Sequence, residues 1–172
     1  MVKFKLLLDK DDEVKWLNEM ANNGYAFKKF RLGFYFFEEC EPSQYIYDID
    51  LLSKVSQFGE FKTFMNEADV EVLSRWYKWV YVRKVNDSKG FELYSDVESK
   101  IEHYSRILKL FRFAFILELV CLFVEIYIPY IERDMRFINL VFISIILFCA
   151  ICIFGGYSKT VEKIKFYKQQ TQ

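Results

Sequence analysis

Two apolar runs in the C-terminal half constrain this chain more than anything else in it. From Phe113 to Ile128 the acidic and basic residues are Glu118 and Glu125, and from Phe137 to Phe154 there are none. A helix needs about 20 residues to cross a hydrocarbon core of about 30 Å, and each run approaches that length. The connection between them, Pro129 to Arg136, is so short that the second helix must return antiparallel to the first. The spacing predicts a two-helix transmembrane hairpin over 112–157. A head over 1–93 and a helical stalk over 94–111 precede it, and a basic tail over 158–172 follows.

Basic residues flank the runs unevenly. Arg106, Lys109 and Arg112 precede the first, Lys159 and Lys163 follow the second, and the connection holds Arg133 and Arg136. The positive-inside rule then predicts two spans with both termini in the cytoplasm. Arg106, Lys109, Arg112, Lys159 and Lys163 are the expected contacts to lipid headgroups. Gly155-Gly156 reads as a hinge before the tail.

The head reads as α+β. Val2 to Leu8 is β-prone, and Asp11 or Asp12 can cap a helix that ends at Gly24. Tyr25 to Glu39 reads as one aromatic strand, and Tyr45 to Leu51 alternates as if to pair back on it. A helix is expected in Val55 to Asn66, then two β segments in Val70 to Val85 meeting near Arg75. That order suggests a ferredoxin-like antiparallel sheet with two helices on one face. Ser95-Asp-Val-Glu98 has the spacing of a capping box, opening a helix that can run to Ile128. No internal repeat is legible.

Composition excludes several function classes. Net charge is zero, and residues 1–100 hold 15 Lys or Arg against 18 Asp or Glu, so no basic surface for nucleic acid is expected. Three of the four cysteines (Cys121, Cys149, Cys152) fall in the apolar runs, away from any disulfide framework. His103 is the sole histidine and reads as an exposed stalk residue, so no metal centre is expected. Asp48 and Asp50 share one strand face and read as a solvated edge. No phosphate loop or nucleophile elbow occurs, so no cofactor and no catalytic residues are expected.

Four segments carry a family likeness: Trp16 to Tyr25, Phe37 to Asp50, Trp79 to Lys84, and Tyr94 to Lys100. Together they resemble the bacterial membrane proteins of domain-of-unknown-function family 2812. The resemblance implies a bacterial plasma-membrane location, paired C-terminal spans, and a regulatory or stress-response setting beside PadR-type repressors. Relatives tend to have Gly-Trp-Glu where this chain has Ala68-Asp-Val-Glu71. The family carries no catalytic residues to transfer.

The intramembrane glutamates are the sharpest candidates for function. Val97, Ile101, Tyr104, Leu108, Phe111, Phe115, Glu118, Leu122 and Glu125 recur at alternating four- and three-residue steps, a heptad seam. Both carboxyls should therefore face a helix, where Asn139 and Arg136 come within reach of Glu125 and Ser144 is the nearest polar group to Glu118. In the head, Trp16, Tyr45, Tyr47, Trp76 and Trp79 could line a small-molecule pocket, or simply pack. The leading expectation is a non-enzymatic membrane-anchored sensor or regulatory protein, probing the bilayer or a small lipophilic ligand and acting on a regulatory protein partner. The alternative is a homo-oligomeric channel or transporter-accessory subunit with glutamates along its path.

Overall fold

The computed structural model describes residues 1–87, 90–132 and 136–170. The chain forms two compact units, Met1–His103 and Tyr104–Gln172. The first holds β1 (Val2–Phe4), α1 (Lys10–Asn22), β2 (Tyr25–Arg31), β3 (Phe34–Glu39), β4 (Tyr45–Leu51), α2 (Phe58–Glu67, after a single 3-10 turn at Val55–Gln57), β5 (Glu71–Trp76) and β6 (Trp79–Val85). Two long helices follow, α3 (Val97–Glu132) and α4 (Phe137–Gln169).

The head is α+β, but its sheet is not the single ferredoxin-like one. There are two three-stranded antiparallel sheets, β1-β3-β2 and β4-β6-β5. The cause is a turn hidden in the aromatic run. Leu32 and Gly33 both adopt left-handed backbone, at φ 48° and 83°, and fold Tyr25–Glu39 into a two-strand hairpin. β3 then takes β1 as its other neighbour, and β4 pairs with β6 instead of with β3. The second hairpin turns at Tyr77 and Lys78, not near Arg75.

Each sheet is thus one β-α-β-β unit with the strand order first, third, second. Gly24 and Asp69, both with positive φ just after a helix, stand 45 positions apart (69 less 24). So do Leu32 and Tyr77 at the turns (77 less 32), and the bulges at Phe27/Lys29 and Val72/Ser74 (72 less 27). Aligned at that offset, residues 1–40 and 46–85 share only Leu6/Leu51, Leu7/Leu52 and Met20/Met65. The duplication is one of backbone plan, which is why no repeat was legible.

Burial separates the two sheets. One core gathers Leu17, Met20 and Ala21 of α1, Phe27, Tyr35 and Phe37 of the first sheet, and Tyr47, Ile49 and Tyr81 of the second. The other lies across the second sheet, where Leu52, Met65, Val70, Val80 and Val82 pack with Phe58, Phe61, Phe91 and Leu93. The second sheet is therefore covered on both faces, and β4 is buried almost residue after residue. The first sheet is covered on one face, and β3 alternates exposed and buried along Phe34–Phe37.

Helix ends also depart from expectation. Asp9, not Asp11 or Asp12, caps α1, its Oδ1 accepting from the Asp11 and Asp12 amides at 2.9 and 3.2 Å. Asp96, not Ser95, caps α3, accepting the Ser99 amide at 2.8 Å; those amide bonds hold its carboxyl below the usual range. α3 runs past Pro129 to Glu132, and at about 1.5 Å per residue its 36 residues span about 54 Å. α4 is unbroken through Gly155-Gly156, so there is no hinge there. A Cβ on Gly156 would lie 2.6 Å from the Phe111 ring, so this glycine permits close helix approach, beside the buried Thr160.

Among the described residues, α4 is long and apolar enough to cross a membrane, with a mean hydropathy of 2.9 in its best stretch and none of that stretch buried. The expected two-helix hairpin is not shown, since α4 alone meets that standard among the described residues. The expected turn falls partly on residues 133–135, outside the described residues.

The Leu32-Gly33 turn is a testable constraint. A Cβ on Gly33 would meet Phe4 Cε2 at 2.8 Å, on top of the strain of φ 83°. Gly33→Ala should cost about 1–2 kcal/mol in chemical unfolding of the full chain in detergent. An unchanged midpoint would show that the hairpin does not depend on this turn.

Candidate functional site

Three polar foci stand out against the apolar background. The first occupies β4. Asp48 and Asp50 face the same side as their cross-strand partners Val82 and Val80, inside the second core, and are 6% and 3% exposed. This corrects the solvated-edge reading: β4 is a geometric edge, but the chain from Phe91 onward covers it. Lys10 Nζ lies 2.6 Å from Asp48 Oδ1, and the Leu93 amide donates to Oδ2 at 3.0 Å. Tyr94 Oη donates to Asp50 Oδ1 at 2.8 Å, and His103 Nδ1 lies 3.0 Å from the same oxygen. His103 is 2% exposed, with its ring 4.9 Å from that of Tyr94. The expected exposed stalk histidine is therefore a buried clasp, fixing the second turn of α3 to the head. A hydrogen bond of this kind contributes about 0.5–1.5 kcal/mol, and removing a partner leaves a buried polar oxygen poorly satisfied.

The second focus is Glu13 of α1, which sequence reasoning missed. Its Oε1 accepts from Tyr35 Oη at 2.7 Å and Tyr81 Oη at 2.8 Å, tying one residue from each sheet to one carboxyl. Burial raises its pKa, and the two tyrosine bonds only partly offset that. The same burial, with the carboxylate beside them, raises both tyrosines. The five aromatic candidates surround this region without converging on one cleft. Trp16 meets Tyr35 edge-on at 4.8 Å under Lys5, and Tyr47 is buried, its hydroxyl accepting the Phe27 amide at 3.0 Å. Tyr45 lies beneath Arg83 at 4.2 Å, Trp76 is exposed beside Phe30, and Trp79 is half-buried.

The third focus lies in the helical unit. Asn139 Nδ2 donates to Glu125 Oε1 at 3.0 Å, and Asn139 Oδ1 accepts the Arg136 amide at 3.1 Å. The Pro129 ring nitrogen has no hydrogen for the Glu125 carbonyl four residues back, so a missing helix hydrogen bond and side-chain polarity coincide. A cavity of about 260 Å³ lies here, with Glu125, Pro129, Glu132, Arg136 and Asn139 on its wall. From Phe111 on, the positions of α3 that are not exposed are Phe111, Ala114, Glu118, Leu122, Glu125 and Pro129, and nearer its start Tyr104, Ile107 and Leu108 are among those partly or fully buried. Both glutamates lie on that stripe, while Phe115 of the expected seam is exposed and Ala114 takes its place. Ser144 Oγ bonds its own helix at Leu140 O, 2.8 Å away, and does not serve Glu118.

Toward the other ends of the helices, Tyr104 stacks on Tyr167 at 5.8 Å and Lys163 lies 5.5 Å over Tyr104. The tail is thus part of α4, returning beside α3. Lys109, Arg112 and Lys159 are exposed, whereas Arg106 and Lys163 are half-buried. No cluster of metal-ligating side chains occurs among the described residues.

These features define a protein with a duplicated α+β head and long apolar helices. The chain belongs to the family described as protein of unknown function DUF2812, whose match covers residues 9–116. That range takes in Glu13, Asp48, Asp50 and His103 and ends before Glu118. No curated protein and no solved structure matches the chain.

The raised pKa of Glu13 sets a pH dependence. The folded head favours the protonated carboxyl, so this contribution is fully present below the ordinary value of 4.5 and is lost as pH rises through the raised pKa. Glu13→Gln should flatten the decline in unfolding temperature from about pH 4 to pH 8. An identical slope in the variant would remove Glu13 as its source.

Proposed function

We propose that this protein is a non-enzymatic, membrane-anchored regulatory sensor of the bacterial plasma membrane, with both termini cytoplasmic. In this reading α3 accompanies α4 through the bilayer as a second span. What supports it is the outward apolar surface of α3, where Phe113, Ile116, Val120 and Phe123 are all more than half exposed while Glu118 and Glu125 lie on the less exposed stripe. Carboxyls in hydrocarbon are costly unless partnered, and Asn139 supplies a partner for Glu125.

The observation that carries the sensor reading is one helix with two anchors. α3 holds His103 in the clasp with Asp50 near its start and Glu125 in the bond with Asn139 near its end. Helices pack in discrete arrangements, so a change at one anchor biases the other. The cavity beside Glu125, about 260 Å³, is smaller than the roughly 300–1,000 Å³ of drug-sized ligand sites. A perturbation of the bilayer is therefore the signal proposed, and the head the element that passes it to a protein partner.

Hydrogen exchange of the full chain in lipid nanodiscs tests this. Glu125→Gln with Asn139→Leu should speed exchange of the amides over 94–103 by about fivefold or more. His103→Ala should release the same amides directly. If His103→Ala releases them and the distant pair leaves them unchanged, the two anchors are uncoupled and the sensor reading is lost.

A further inference from the structure

Among the described residues, nothing in the head covers the outer face of the first sheet. Cross-strand pairing puts Val2 opposite Phe36, and Phe36 opposite Lys29. One step along, Phe4 pairs with Phe34, and Phe34 with Arg31. Paired residues share a face, so two rows each run from an apolar residue through an aromatic ring to a cation. Val2, Phe4, Phe34 and Phe36 are 54%, 59%, 47% and 37% exposed, and the Phe4 and Phe34 rings sit 5.0 Å apart. At the hairpin tip Leu32 stands beside them, 66% exposed. By alternation Glu38 is the acidic residue of this face, and Lys28 pairs with it at 2.8 Å, leaving Lys29 and Arg31 as its net charge.

We propose that this sheet face docks the head onto an anionic bilayer surface, the aromatic rings entering the headgroup boundary and Lys29 and Arg31 meeting lipid phosphates. An apolar centre with a cationic margin is the composition of an interfacial membrane contact. Each cation near an anionic leaflet adds electrostatic attraction, and a protein already anchored by an apolar helix meets that leaflet at high effective concentration. A second copy meeting it through the same face would bring the same basic margin, not an acidic complement. The proposal rests on the membrane anchoring above and is independent of any coupling along α3.

Hydroxyl-radical footprinting of the full chain tests it, in nanodiscs of phosphatidylcholine alone or with about 30 mol% phosphatidylglycerol. Phe4, Phe34 and Phe36 should lose about threefold or more of their reactivity in the anionic discs, while Phe64 on α2 and Tyr77 at the β5–β6 turn keep theirs. Lys29→Glu with Arg31→Glu should restore the lost reactivity. Reactivity equal in both lipids for a chain that has entered the discs overturns docking while leaving the anchor intact. Failure to enter the discs strikes the anchor itself. Protection that follows protein concentration instead of lipid charge would assign the face to a second copy and overturn the proposal.

Discussion

Two carboxylates buried on β4 organise the head. Asp48 and Asp50 sit in an otherwise apolar layer, where an unpartnered charge would cost several kcal/mol. Their partners come from far apart in the chain: Lys10 from α1, Leu93 and Tyr94 from the segment after β6, and His103 from α3. Satisfying those oxygens therefore closes the second core and holds the first turns of α3 in one operation. A purely apolar β4 would leave the start of α3 with little reason to stop at one register.

Glu13 plays the matching part between the sheets. Without its carboxyl, Tyr35 and Tyr81 would bring two hydroxyls into a layer of rings with no acceptor between them. The arrangement favours specificity over stability, because the same burial that aligns the tyrosines also raises the cost of the charge. The helical unit follows a similar rule. Asn139 joins Glu125 of α3 to the backbone of Arg136, so register between the helices is set by hydrogen bonds as well as by packing.

Much of the chain was legible from periodicity. The long helices, the α+β head and the placement of both glutamates on one stripe follow from runs and spacings that local physics respects. What escaped was decided by tertiary context. Leu32-Gly33 lacks the usual Asn-Gly signal, and a leucine in left-handed backbone is not something propensity anticipates. His103 and the two aspartates look solvated in sequence because their cover comes from residues tens of positions away. Glu13 sits among Asp11, Asp12 and Lys15 and reads as one more surface charge until two tyrosines converge on it. The aromatic residues of the head were visible, but not their division between core and open face. Composition records how many rings there are, and only strand pairing decides where they point.

The matched β-α-β-β plans carry one more implication. Two identical halves would have presented equivalent seats, so a long helix could have settled on either or been duplicated in turn. The chemistry of the two halves removes that ambiguity. One half now carries the acidic strand that receives α3, while its counterpart, with Val2 and Phe4 where that strand has Tyr47 and Ile49, keeps an aromatic face bare. Pseudosymmetry without chemical equivalence gives a small domain two chemically different sides.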